Sequence, residues 1–121
     1  MGIFIEAFQN RGSSHTITFK NSAGANITIQ SGDKVRIKIA RGAAAPIKDI
    51  VSGTNLAGGT SVTAANPATL TIRGPDFGSD TIKPGTYDLE ACIVDHGDGD
   101  FIKHAELGTF SLVAVPLGDI D

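Results

Sequence analysis

Apolar and polar side chains alternate along much of this chain. The alternation is cleanest over residues 34–39, which read KVRIKI. A period of two residues is typical of a strand that has one buried face and one face in water. Residues 15–20 and 68–73 follow the same pattern. We therefore predict a strand at each of these three places.

Further strands are predicted from short apolar runs bounded by turn residues. The run at 91–94 is apolar on both faces, which predicts a central position for its strand. Residues 74–84 are predicted to form a loop, and no amphipathic helix is predicted. Many short, regularly spaced strands without an amphipathic helix indicate an all-β domain, a sandwich or a barrel. The further predicted strands cover residues 3–8, 27–29, 47–51, 61–63, 86–95, 101–104 and 108–115.

Composition agrees with a β-rich domain. The chain has 121 residues, and we expect residues 1–121 to form a single domain. It holds 14 Ile, 6 Val and 11 Thr against 6 Leu and 1 Met, which favours strands. The single cysteine excludes an intramolecular disulfide. Since no apolar run has transmembrane length and no signal peptide is recognised, we predict cytoplasmic synthesis and no membrane partner.

Charge is distributed unevenly along the chain. The formal net charge is −3, but residues 1–60 carry +4 and residues 61–121 carry −7. Such polarity can steer partners or self-assembly. Because the two halves interleave in a sandwich, we favour the interpretation that the polarity vanishes on folding.

A basic stripe follows one face of the strand at 34–39. We favour a solvated face that protects an edge strand from aggregation, with contact to an acidic protein surface as the functional alternative. No aromatic residue is interleaved to stack on bases, so nucleic acid is not predicted as a partner. The stripe consists of Lys34, Arg36, Lys38 and Arg41.

The acidic turn over residues 95–100 is the most site-like stretch. Oxygen ligands gathered in a loop are what Ca²⁺ requires, and the candidate ligands are Asp95, Asp98 and Asp100. Gly and Asp are also the natural residues of a hairpin turn. We favour the hairpin turn and predict no metal and no cofactor.

Other motifs give no catalytic arrangement. Residues 53–60 resemble a phosphate-binding loop, but Gly59 stands where the lysine is needed. His15, His96 and His104 fit no short metal or acid–base motif. Cys92 is predicted to be a buried, inert thiol. We therefore predict that the protein is not an enzyme.

Three stretches carry a resemblance to a known family. They are residues 32–39 (GDKVRIKI), 82–95 (IKPGTYDLEACIVD) and 107–112 (LGTFSL). In this order they are similar to small immunoglobulin-like β-sandwich proteins of tailed bacteriophage virions, which include capsid decoration (cement) proteins and the amino-terminal domains of baseplate upper proteins. The resemblance covers about residues 25–115. It implies one immunoglobulin-like sandwich of about 7–9 short antiparallel strands, with a corner hydrogen bond from Tyr87 and a tight entry into the last strand at Gly108.

The resemblance implies a non-enzymatic capsid decoration or cement subunit that binds the capsid surface and stabilises the lattice. Its partners would be the major capsid protein or other virion proteins and further copies of itself, and its location the virion. Docking would use burial of apolar surface and β-augmentation by an arm or edge strand. Residues 1–8 are either such an arm or the first core strand, and residues 116–121 are read as a tail. The predicted interface residues are Ile3, Phe4, Ile5, Phe8, Lys34, Arg36, Lys38 and Arg41.

Two alternatives remain at this point. The first is a tail, neck or baseplate component of the same fold. The second is a module that binds carbohydrate through exposed loops, which the absence of Trp and the single Tyr weaken because sugar sites usually stack on aromatic faces.

Overall fold

The structure, a computed structural model, describes residues 3–42, 46–78, 82–95 and 101–114. Within these ranges the chain forms eight β-strands and one 3-10 helix (Gly74–Phe77), and none of its helices is long and apolar enough to cross a membrane. The prediction of an all-β chain is therefore confirmed. The strands are β1 (Ile3–Phe8), β2 (Ser13–Ile17), β3 (Lys34–Ala40), β4 (Lys48–Val51), β5 (Ser61–Val62), β6 (Ala68–Ile72), β7 (Gly85–Val94) and β8 (Ile102–Val113).

The strands form two sheets in a sandwich-like arrangement. One sheet has five strands in the order β1-β8-β7-β3-β4, and the other has three in the order β2-β6-β5. Of the described neighbouring strands, β1 and β8 run parallel and the other pairs are antiparallel. The predicted central position of residues 91–94 is confirmed, since β7 is the middle strand of the larger sheet.

The core lies between the two sheets and is built from alternate residues of each strand. In β3, Val35, Ile37 and Ile39 are fully buried, as the alternation predicts. The rings of Phe77 and Phe110 lie 5.3 Å apart between centroids. Because alternate residues of each strand point to the same side of its sheet, the inward side chains together form one continuous apolar layer.

The predicted strands differ from the structure at two places. Residues 27–29 form no strand. The nitrogen of Ile27 donates to the carbonyl of Phe19, but the carbonyl of Ile27 accepts from the side-chain amide of Asn66 instead of from a neighbouring strand. The strands predicted at 101–104 and 108–115 are one strand, β8. Residues 105–107 continue it because the long strand β7 pairs with them.

The amino-terminal segment belongs to the sheet. Strand β1 pairs with β8 along its whole length, and Ile5 and Ala7 are buried. Of the two interpretations of residues 1–8, the described residues 3–8 fit the core strand rather than an arm. Residues 116–121, read as a tail, lie outside the described residues.

Candidate functional site

Most of the predicted interface residues lie on the outer face of the five-stranded sheet, the face that points away from the core. Directly opposite residues of neighbouring strands point to the same side, so this face consists of rows across the sheet. One row contains Phe4, Thr109, Asp88 and Ala40. The next row contains Leu107, Glu90, Lys38 and Asp49.

The basic stripe is paired with acids on this face. Arg36 donates to Asp49 through Nε at 2.8 Å and Nη2 at 2.5 Å, and Lys38 Nζ lies 3.9 Å from Glu90 Oε1. The hydrogen bond from Arg36 lowers the pKa of Asp49, against a smaller opposing effect of burial. Of these acids, Glu90 comes from the acidic half of the chain, so folding brings charges of the two halves together here, as the sandwich interpretation expects.

The interpretation of the stripe as protection for an edge strand is wrong. Strand β3 lies between β7 and β4 and has no free edge. Lys34 is exposed, and the guanidinium carbon of Arg41 lies 4.8 Å from the centroid of the Tyr87 ring. The four residues therefore do not act as one basic surface.

Apolar side chains are exposed at the β1–β8 side of the same face. Phe4 is 66 % exposed, Phe8 is 43 % exposed and Leu107 is 71 % exposed. Ile5 is buried and Ile3 is partly buried against the core. Of the predicted interface residues in β1, Phe4 and Phe8 are thus the two that are accessible to a partner.

A groove of about 490 Å³ crosses the outer face between β3 and β8. Its apolar lining includes Ala40, Pro46 and Leu107, and its polar lining includes the carboxylates of Asp88 and Glu90. Asp88 accepts a hydrogen bond from the backbone nitrogen of Gly42 at 3.1 Å. The sequence did not indicate this groove, because its residues come from segments that meet only in the folded sheet.

Cys92 faces outward in β7, opposite Arg36 on one side and Ala105 on the other. It is nevertheless fully buried, as predicted. Burial, together with the nearby charge of Glu90, raises the pKa of the thiol to about 11. Such a thiol is neutral and unreactive at neutral pH.

The segment that resembles a phosphate-binding loop holds a carboxylate of the protein itself. Asp76 is buried and accepts hydrogen bonds from the backbone nitrogens of Gly58 at 2.8 Å and Thr60 at 2.9 Å. Burial raises the pKa of Asp76, but the hydrogen bonds from Thr60 and Gly58 outweigh it and leave the pKa below its ordinary value. These amide groups are therefore already occupied.

The acidic turn is described only at its ends. The backbone nitrogen of Asp95 donates to the carbonyl of Phe101 at 2.8 Å, as in a hairpin. Asp98 and Asp100 lie outside the described residues, so the preference for a hairpin turn over a calcium site stays a prediction. In the described part of the chain, no group of three His, Cys, Asp or Glu side chains could hold a metal ion.

Each described histidine has its own local partner. His15 Nε2 lies 2.8 Å from Ser13 Oγ, and burial lowers the pKa of His15. His104 Nε2 lies 3.0 Å from Glu106 Oε2, and its ring meets Phe19 edge-on. His96 lies outside the described residues.

Sequence reasoning missed Asn66, which joins the segment after β2 to the segment around Ile27. Its side chain donates to the carbonyls of Phe19 and Ile27 and accepts from the Phe19 nitrogen at 2.9 Å. A single Asn before Pro67 gives no sign of this role, since its partners are distant in sequence.

Comparison of the chain with protein-family models finds no matching family, and comparison with the curated proteins finds no match. A function is therefore proposed from the sequence and the structure of the chain itself.

Proposed function

We propose that the chain is an immunoglobulin-like β-sandwich. The parallel pairing of the first and last strands and the facing of a five-stranded by a three-stranded sheet support this. So does Tyr87, near the start of β7, whose hydroxyl donates to the carbonyl of Lys83. A tyrosine that bonds the backbone a few residues upstream at the start of such a strand is a recurrent feature of immunoglobulin-like domains.

We infer that the protein is a non-enzymatic structural subunit of a tailed bacteriophage virion that decorates the capsid. The observation that carries this is exposed apolar surface along the β1–β8 side of the larger sheet. Among the described residues, five of the six large hydrophobic side chains that are exposed lie in β1, in β8 or next to β8; they are Phe4, Phe8, Phe101, Ile102 and Leu107. Phe4 and Leu107 stand in adjacent rows of the outer face, with Phe8 farther along β1. Exposed apolar side chains on one face are typical of a docking surface.

The ion pairs on the outer face favour an apolar mode of docking. Arg36 is bound to Asp49, and Lys38 lies near Glu90. Both cations therefore already have an acidic neighbour within the chain and do not favour binding to an acidic protein surface. Attachment to the major capsid protein or to another virion protein would then depend on buried apolar area. We expect such binding to resist high salt, because screening weakens exposed charge pairs and leaves apolar contacts intact.

Cosedimentation tests this function. Tail-less heads and head-less tails are prepared from the phage whose genome carries the gene. Each preparation is mixed with the labelled chain at low and at high salt. We expect binding to heads at both salt concentrations. Sedimentation with tails alone would favour the tail, neck or baseplate alternative, and binding to neither would overturn the proposal.

A variant pair locates the surface. The double variant Phe4→Ser with Leu107→Ser removes the two most exposed large hydrophobic side chains of the described residues and should abolish binding to heads. Thr69→Ser, at an exposed position on the smaller sheet, is the control and should bind like the unchanged chain. Circular dichroism of both variants verifies that they are folded.

A further inference from the structure

Strand β1 is the longest edge strand of the described part of the chain. It has six residues, against five in β2, four in β4 and two in β5, the other strands that end a sheet. It contains no proline, and its one described neighbour in the sheet is β8. An edge of this kind presents backbone groups that can pair with another strand.

The hydrogen bonds of β1 identify the groups on the side away from β8, where the described residues supply no neighbouring strand. The nitrogen of Gln9 donates to the carbonyl of Val113 at 2.9 Å. The backbone N–H and C=O groups of Gln9, and of every second residue before it, therefore point toward β8. The N–H and C=O groups of Phe4, Glu6 and Phe8 therefore point away from the sheet. The carbonyl of Phe8 also accepts from the Arg11 nitrogen at 3.3 Å, which leaves it a second lone pair.

We propose that β1 pairs antiparallel with β1 of a second copy of this chain, about a two-fold axis at Glu6. This register is the one in which all three free residues find a counterpart. Phe4 lies opposite Phe8 of the partner subunit, and Glu6 lies opposite Glu6 of the partner subunit. A shift by two residues in either direction would set Phe4 or Phe8 opposite Glu6 of the partner subunit and leave part of the edge unpaired.

The side chains of β1 suit a second copy. Phe4 and Phe8 are both exposed and both lie on the outer face, so the two-fold axis makes two cross-strand aromatic pairs, which stabilise antiparallel strands. On the inner side, Ile5 would lie opposite Ala7 of the partner subunit, which extends the buried row. The two Glu6 side chains repel one another across the axis, so the association is weak and reversible.

The pairing is independent of the proposed virion role, because it concerns the purified chain alone. It is tested first by cysteine cross-linking. Opposite residues of a hydrogen-bonded antiparallel pair lie about 5.5 Å apart between Cα atoms, within the range of a disulfide. Cys92 is buried, so it contributes little background.

Under mild oxidation, Glu6→Cys should form a covalent dimer. Phe4→Cys alone and Phe8→Cys alone should not, because each lies far from its own copy across the axis, but a mixture of the two should cross-link. A covalent dimer from Phe4→Cys alone would show a different register and overturn the proposal. The proposal would also be overturned if Glu6→Cys stayed monomeric under mild oxidation while it remained folded.

Sedimentation equilibrium tests the pairing without a covalent bond. Glu6→Gln removes the repulsion and should strengthen dimerisation by about threefold or more. Glu6→Lys should dimerise poorly alone but form a mixed dimer with the unchanged chain, because opposite charges then meet at the axis. Phe4→Ser should weaken the dimer, and Thr69→Ser is the control. A Glu6→Gln variant that is monomeric up to about 1 mM would overturn the proposal.

Discussion

The carboxylate of Asp76 lies 2.8 Å from the backbone nitrogen of Gly58, in the loop whose sequence resembles a phosphate-binding loop. The same carboxylate also accepts from the nitrogen of Thr60 at 2.9 Å. Backbone N–H groups that converge in a glycine-rich turn form an anion-binding concavity. Here the bound anion is the carboxylate of Asp76 itself. The loop therefore binds an anion, as a phosphate-binding loop does, but that anion is a side chain of the protein and not a phosphate.

Asp76→Asn should destabilise the fold. An amide can accept one of the two hydrogen bonds but turns an N–H₂ group toward the other donor, which leaves a buried group unsatisfied. We expect a loss of about 2 kcal/mol in the free energy of unfolding, measured by urea denaturation at pH 7. Asp88→Asn changes an exposed carboxylate and should alter stability by less than about 0.5 kcal/mol.

The effect of Asp76 should depend on pH. Its pKa in the folded protein lies below the ordinary value of 3.8, so folding favours the charged form. The stability it supplies is present above that ordinary value and is lost as the pH falls through the folded pKa. The difference between the unchanged chain and Asp76→Asn should therefore be full above about pH 5 and shrink on acidification. A constant difference would contradict this role.

Cys92 should be protected from thiol reagents in the folded protein. Burial raises its pKa to about 11, so about a thousandth of the thiol is ionised at pH 8. Labelling with a chromogenic disulfide should be slow in buffer and complete in denaturant. Arg36→Ala, which shortens the side chain opposite Cys92, should speed labelling several-fold in buffer. Equal rates in buffer and in denaturant would contradict burial.

Gly108→Ala should separate β1 from β8. A Cβ at this position would lie 2.2 Å from the carbonyl oxygen of Ile3, and backbone cannot yield as a flexible side chain can. We expect a loss of about 3 kcal/mol in the free energy of unfolding, with faster hydrogen exchange along β1. Gly24→Ala, at a positive φ of 85° in open space, is the control and should cost about 1 kcal/mol.

Tyr87→Phe should remove one hydrogen bond and leave the ring contacts in place. The hydroxyl of Tyr87 donates to the Lys83 carbonyl, while its ring packs against Phe110 and under Arg41. We expect a loss of about 1 kcal/mol in the free energy of unfolding by urea denaturation. An unchanged stability would show that the corner hydrogen bond contributes nothing.

Much of the fold could be predicted because alternation is local. Residues 34–39 specify which side chains of β3 are buried without reference to any other segment. Residues 27–29 alternate as well, yet they form no strand, because the side chain of Asn66 takes the place of a neighbouring strand. Residues 105–107 contain no strong strand pattern, yet they extend β8 because β7 pairs with them.

The candidate site was also predictable only in part. Lys34, Arg36 and Lys38 could be placed on one face from the sequence, and Phe4 and Phe8 could be named as candidates. Their surroundings could not, since Asp49 and Glu90 are distant in sequence and meet Arg36 and Lys38 only through the strand order of the sheet.

By itself, the sequence determined that the chain is built of strands and which residues of each strand turn inward, because a period of two residues is set within the strand. The tertiary structure alone decided which strands are neighbours and which of the described strands lie at the edge of a sheet. Both properties depend on pairing between segments that are distant in the sequence. Backbone hydrogen bonds between strands are the same whatever the side chains are, so the local sequence does not indicate which strand will be the partner. The exposed edge of β1 and the paired charges of β3 are both results of that pairing.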